Sequence, residues 1–218
     1  SGAPGLPGGL HVQPSDISGG VLIGDVERTD TPRLGRLQRL WREVDDVVPI
    51  ATVIEAAERE LAAGRPPIVA AAVNVKTSEM IIGARPHFED AAHGVADYEH
   101  AEMDALKQAI ARGWEMTDIT LYVSMESCVK CALALTTRFR PGRVVVATVD
   151  PDPDLRGIGL QIVQQGDIPA QLIPDEGLRQ RAQAVMRAFH AANGNTVSFE
   201  PRDWGLGSRP FWHPMPML

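Results

Sequence analysis

The segment Pro67-Ile68-Val69-Ala70-Ala71-Ala72-Val73 constrains this chain more than any other. It is an unbroken apolar run that follows a turn signal. Such a run reads as a strand buried on both faces, and a buried strand needs layers packed above and below it. The segments around it supply those layers. Ile50, Val53, Ile54, Ala57 and Leu61 recur every three to four residues from Ile50 to Ala63, which predicts a helix stopped by Gly64. An earlier helix is expected over 33–45, where Leu34, Leu37, Leu40 and Trp41 share a face and Pro49 ends the segment. A polar turn at 76–79 leads to Met80-Ile81-Ile82, a hairpin partner for the buried strand.

Downstream, strands and helices alternate. A helix is expected over 99–112, with Ala101, Ala105, Leu106 and Ile110 facing inward and Gly113 as its stop. Strands are expected at 119–123, 143–149 and 170–173, and helices at 129–139, 157–165 and 176–192. This alternation implies an α/β sandwich with a partly parallel sheet. Residues 1–32, rich at their start in Gly, Pro and Ser, read as a flexible arm or leftover linker. Residues 33–198 read as the domain and 199–218 as a tail.

Composition narrows the class. Hydrophobic residues make up 44% of the 218 and charged residues 22%, as in ordinary soluble proteins. The net charge of −7 argues against a protein that holds nucleic acid mainly by neutralising phosphates. No apolar run approaches the roughly 18 residues of a membrane span. The N-terminus lacks a charged stretch followed by an apolar one, which reads against a signal peptide. A cytoplasmic location is the expectation.

The only two cysteines are Cys128 and Cys131. Two intervening residues suit a metal or a redox pair better than a structural staple. With His100 they make three soft or borderline ligands. Catalytic zinc typically takes three protein ligands and leaves a fourth position for water. Both ligand groups fall at expected helix starts, where the positive dipole end favours thiolate over thiol. Glu102 lies two residues after His100, in the first turn of the same helix. It is placed to act as a base without being a ligand, moving a proton from water to a leaving amine. His100 alone reads as a helix-start histidine, and Glu102 alone as a carboxylate answering the dipole. Their conjunction with the two cysteines points to hydrolytic deamination, in the order H-x-E…C-x-x-C.

The stretches His100-Ala101-Glu102-Met103-Asp104-Ala105-Leu106 and Leu121-Tyr122-Val123-Ser124-Met125-Glu126-Ser127-Cys128-Val129-Lys130-Cys131-Ala132 resemble the cytidine deaminase-like superfamily, in its bacterial tRNA adenosine and guanine/cytosine deaminase branch. Arg143-Val144-Val145-Val146-Ala147, Asp150-Pro151-Asp152-Pro153 and Gly157-Ile158-Gly159-Leu160 are more similar to the riboflavin-pathway deaminases. The resemblance covers about residues 50–175. It implies a three-layer α/β/α sandwich around a mixed sheet of about five strands. It also implies Zn2+ on His100, Cys128 and Cys131, Glu102 as catalytic residue, a small amino-heterocycle as substrate and a homodimer. Two positions depart from it. Ser127 stands where relatives usually carry proline, and is expected to cap the following helix. Ala84 falls where relatives often carry a base-reading asparagine.

Other residues admit two readings each. Asn74 reads a base edge or makes a strand-end hydrogen bond. Glu126 hydrogen-bonds the ligand loops or touches substrate. His87 and His93 are solvated loop residues or substrate contacts. Arg138, Arg140 and Arg143 answer a helix dipole or clamp a phosphate. The tail holds Phe199, Trp204, Phe211 and Trp212, and so is expected to dock, as a structural wrap over an apolar surface or a subunit contact, or as a lid with Trp212 or Phe211 on the substrate ring and His213 lining the pocket. An RNA adenosine editor and a non-catalytic zinc-bearing subunit are the alternative functions. The first sits poorly with the acidic charge and the second with the presence of Glu102.

Overall fold

The computed structural model describes residues 45–84 and 100–199. The expected arm, almost all of the helix over 33–45, the loop holding His87 and His93, and the tail beyond Phe199 lie outside them. The described elements are α1 (Val47–Ala62), β1 (Val69–Asn74), β2 (Met80–Ala84), α2 (Ala101–Ala111), β3 (Ile119–Val123), α3 (Val129–Ala134), β4 (Arg143–Val146), α4 (Ile158–Gln165), β5 (Ala170–Leu172) and α5 (Glu176–Ala192). The strands form one mixed sheet in the order β2-β1-β3-β4-β5. β1 is antiparallel to β2 and β3, whereas β3, β4 and β5 run parallel. Among the described residues no helix is long and apolar enough to cross a membrane.

The register shows why there are three layers. Ile82, Ala71, Tyr122, Val145 and Gln171 form one cross-strand row. Paired residues share a face of a sheet. Tyr122 Oη in this row donates to Asp46 at 2.9 Å, just ahead of α1, so α1 covers this face. The next row holds Gly83, Ala70, Val123, Val146 and Leu172 on the opposite face. A Cβ on Gly83 would meet the Ala101 carbonyl at 2.4 Å, so α2 lies directly on that side. The alanines of β1, all six of whose residues are buried, let helices close in from both sides. α5 joins the α1 layer, where Arg181 reaches Glu58 at 2.7 Å.

Several expectations shift at the edges. Pro49 lies in the first turn of α1 instead of ending an earlier helix, because the amides there need no intrahelical acceptor. Ile110 is 51% exposed, not inward, since it lies on the side of α2 away from β1 and β2. The expected helix over 129–139 is α-helical only to Ala134 and continues as a π turn over Leu135–Phe139. Arg140 closes that turn at φ 50°, donating to the Thr136 carbonyl at 2.7 Å, as the dipole reading of it expects. Arg143 belongs to no helix end. It makes a two-pronged ion pair with Asp46, at 2.8 and 2.6 Å, on the α1 face of the sheet. Its role as dipole partner or phosphate clamp is therefore corrected.

Candidate functional site

β3 ends at Val123, and the chain turns through Ser124–Cys128 into α3. Ser124 holds this turn to β1, accepting from Val69 N at 3.0 Å and donating to the Pro67 carbonyl at 3.1 Å. His100 and Cys128 are the N-cap residues of α2 and α3, both in extended backbone. Cys131 follows in the first turn of α3 and is buried. One ligand atom each from His100, Cys128 and Cys131 lies within 4.8 Å of the others. Cys128 Sγ approaches His100 Nδ1 at 3.4 Å. Residues 28 apart in sequence meet because α2 and the turn after β3 open at the same end of the sheet.

Electrostatics fits this donor set to a cation. A hydrogen bond with the Cys131 thiol, reinforced by His100, holds Cys128 down to about 4. The same bond, with burial, pushes the Cys131 thiol up. Two sulfurs this close to each other and to an imidazole suit a thiophilic divalent ion, which would hold both as thiolates. Glu102 is 2% exposed, and burial pushes its carboxyl up. Its Oε2 is buried without a hydrogen-bond partner among the described residues. A buried, orphaned carboxylate oxygen is costly unless something else is meant to sit against it.

Glu126 braces the site. Its Oε1 accepts from Asp150 N at 2.7 Å and Gly157 N at 2.5 Å, and its Oε2 from Leu160 N at 3.3 Å. This is the loop-bracing geometry of its two readings, although Glu126 also lines the cleft. Ser127 does not cap α3. The N-cap is Cys128, and Ser127 Oγ is buried without a partner among the described residues. Asn74 is not brought to the site. It pairs with Ile119 at the start of β3, the opposite end of the sheet, and its Oδ1 accepts from Lys76 N at 2.9 Å. The base-reading expectation for Asn74 is therefore corrected in favour of the strand-end hydrogen bond. His87, His93 and Trp212 lie outside the described residues.

A cleft of about 280 Å³ opens over the ligands, lined by His100, Ser127, Cys128, Lys130, Asp150 and Leu155 among others. Sequence reasoning gave Asp150 and Gly159 no role in the site. A Cβ on Gly159 would meet the Ser127 carbonyl at 1.8 Å, so only glycine lets α4 dock on the cysteine turn. A glycine inside a helical pattern was the signal for that close approach.

Residues 46–148 match the cytidine and deoxycytidylate deaminase zinc-binding region. Among solved structures, Acinetobacter baumannii RibD is 26% identical with a TM-score of 0.49. The match covers 72% of this chain but only 40% of that one. Guanine deaminase from Nitrosomonas europaea is 20% identical with a TM-score of 0.55, over 68% of this chain and 86% of that one. NE0047 in complex with 2,6-diaminopurine is 23% identical with a TM-score of 0.53, over 67% and 82%. The last two are likenesses of fold.

Proposed function

The chain belongs to the cytidine deaminase-like superfamily, and from that premise we propose that it is a zinc-dependent hydrolytic deaminase of a small amino-substituted heterocycle. The substrate class is a nucleobase, nucleoside, nucleotide or related ring. One observation carries the reading: the buried Glu102 carboxylate, whose Oε2 has no hydrogen-bond partner among the described residues, is electrostatically coupled to His100, Cys128 and Cys131, whose ligand atoms converge. A purely structural metal site has no use for a buried carboxylate held off the ligand set.

His100, Cys128 and Cys131 would hold the zinc, which when bound supplies Lewis acidity that makes water nucleophilic near neutral pH. The residues of the chain do the rest. Glu102 accepts a proton from the attacking water and returns it to the departing amino group. Burial suits it to this, because a carboxyl kept out of bulk water holds a proton more readily. One water is consumed, one ammonia leaves, and the ring carbon exchanges an amino group for oxygen. The cleft walls orient the ring and limit water around it. An RNA substrate fits less well, because the chain carries a net charge of −7. Assembly of at least two copies belongs to the same reading on resemblance alone.

A panel of free bases, nucleosides, nucleotides and amino-heterocycles, scored for ammonia release, tests the proposal. Glu102→Ala keeps one zinc per chain and loses at least a hundredfold in turnover, in keeping with removal of a general acid–base group worth about 10²–10⁴. Retention of most activity in that variant refutes the assigned mechanism.

A further inference from the structure

Asp150 is held in an unusual way. Its N–H donates to the buried Glu126 carboxylate at 2.7 Å, and its carbonyl accepts from the buried Arg156 guanidinium at 3.2 Å. One peptide segment is thus gripped by an acid on one side and a base on the other. Arg156 is 8% exposed, and its Nη2 also donates to the carbonyls of Pro151, at 3.0 Å, and of Ser198. Gly157, the next residue, returns its N–H to Glu126. The turn from Asp150 to Gly157 is therefore pinned from both faces.

The turn needs this bracing. Asp150 lines the site cleft and also a second cleft of about 600 Å³, whose other wall includes residues 195–198. Residues 152–155 of the turn are exposed and so add little burial to hold it, which leaves directed hydrogen bonds to set its position. A guanidinium suits the task because its planar fork serves several carbonyls at once, which a lysine ammonium on a flexible stem does not reproduce. The Ser198 contact extends the brace to the end of the described chain. Phe199, 7% exposed, lies with its ring 5.1 Å from the Arg187 guanidinium and fastens the same segment to α5.

We propose that Arg156 is a positioning residue that fixes the Asp150 wall of the cleft and makes its placement depend on the docking of residues 195–199. The catalytic consequence rests on the deaminase reading above; the mechanical coupling does not. Arg156→Ala keeps its zinc and raises KM about tenfold with kcat within about twofold, the pattern of lost ground-state positioning. Millimolar guanidinium restores KM, which a general loss of stability would not allow. Amide hydrogen exchange rises together in 150–157 and 195–199. Phe199→Ala acts in the same direction, and the double variant is no worse than Arg156→Ala alone, because both open one brace. Should Arg156→Ala fail to fold, Phe199→Ala with exchange in 150–157 carries the test. An unchanged KM in zinc-loaded Arg156→Ala, additive effects in the double variant, or faster exchange confined to 195–199 overturns the proposal. If the wild type releases ammonia from no compound, the deaminase reading fails while the exchange measurement still decides the coupling.

Discussion

Exchanging Glu126 for Gln replaces one carboxylate oxygen by an amide nitrogen and removes a charge, at a residue 3% exposed. The three amides it serves all point hydrogen at it: Asp150 N and Gly157 N at Oε1, Leu160 N at Oε2. The least damaging orientation of Gln keeps its oxygen on the first two and turns its nitrogen toward Leu160, where donor faces donor. The two surviving bonds lose their charge assistance, about 1 kcal/mol each, and the confronted amide costs about 1–3 kcal/mol. Against this, a neutral amide is cheaper to bury than a carboxylate, and burial does push the Glu126 carboxyl up. The net expectation is a loss of about 2 kcal/mol, or about 4–8 °C in Tm for a domain of this size. Thermal melts of the zinc-loaded protein, repeated in urea, measure it. The outcome also separates the two sequence readings of this residue. A brace gives a lower Tm, whereas a substrate contact gives an unchanged Tm with a raised KM. A Tm within about a degree of wild type would refute the hydrogen-bond accounting.

Gly159→Ala puts a methyl 1.8 Å from the Ser127 carbonyl, so α4 or the cysteine turn must move. Its expected result is weaker zinc retention in a chelator competition and a Tm lower by several degrees; full retention of both speaks against a rigid turn. Arg181 holds the Glu58 carboxyl below its ordinary range, chiefly through their hydrogen bond. A lowered folded-state value stabilises above the unfolded value and is lost as pH falls through the folded one. Both side chains are 39% exposed, so screening limits the pair to about 0.5 kcal/mol. Arg181→Met therefore lowers Tm by one or two degrees near neutrality, about what that energy corresponds to, and the gap closes in acid or high salt; a gap that widens in acid contradicts the assignment.

Sequence reasoning reached far where local chemistry dominates. The 3.6-residue period places α1 and α5, and β3 needs only its own apolar run to be found. His100, Glu102, Cys128 and Cys131 could be singled out because each pair lies within one turn of one helix, where spacing in sequence is spacing in space. Residues whose partners are distant in sequence could not be assigned. Arg143 looks like a helix-end cation until Asp46, 97 residues away, appears beside it. Asn74 looks like a site residue until the antiparallel register of β1 with β3 sends it to the far end of the sheet. Ile110 fits the apolar stripe of α2, yet tertiary packing leaves it half exposed. The brace on Asp150 needs Glu126, Arg156 and Ser198 together, and no window of sequence holds all three. Backbone propensity and hydrophobic period act over a few residues and are written locally. Which buried polar group satisfies which is settled only when the layers close and each donor finds the acceptor left within its reach.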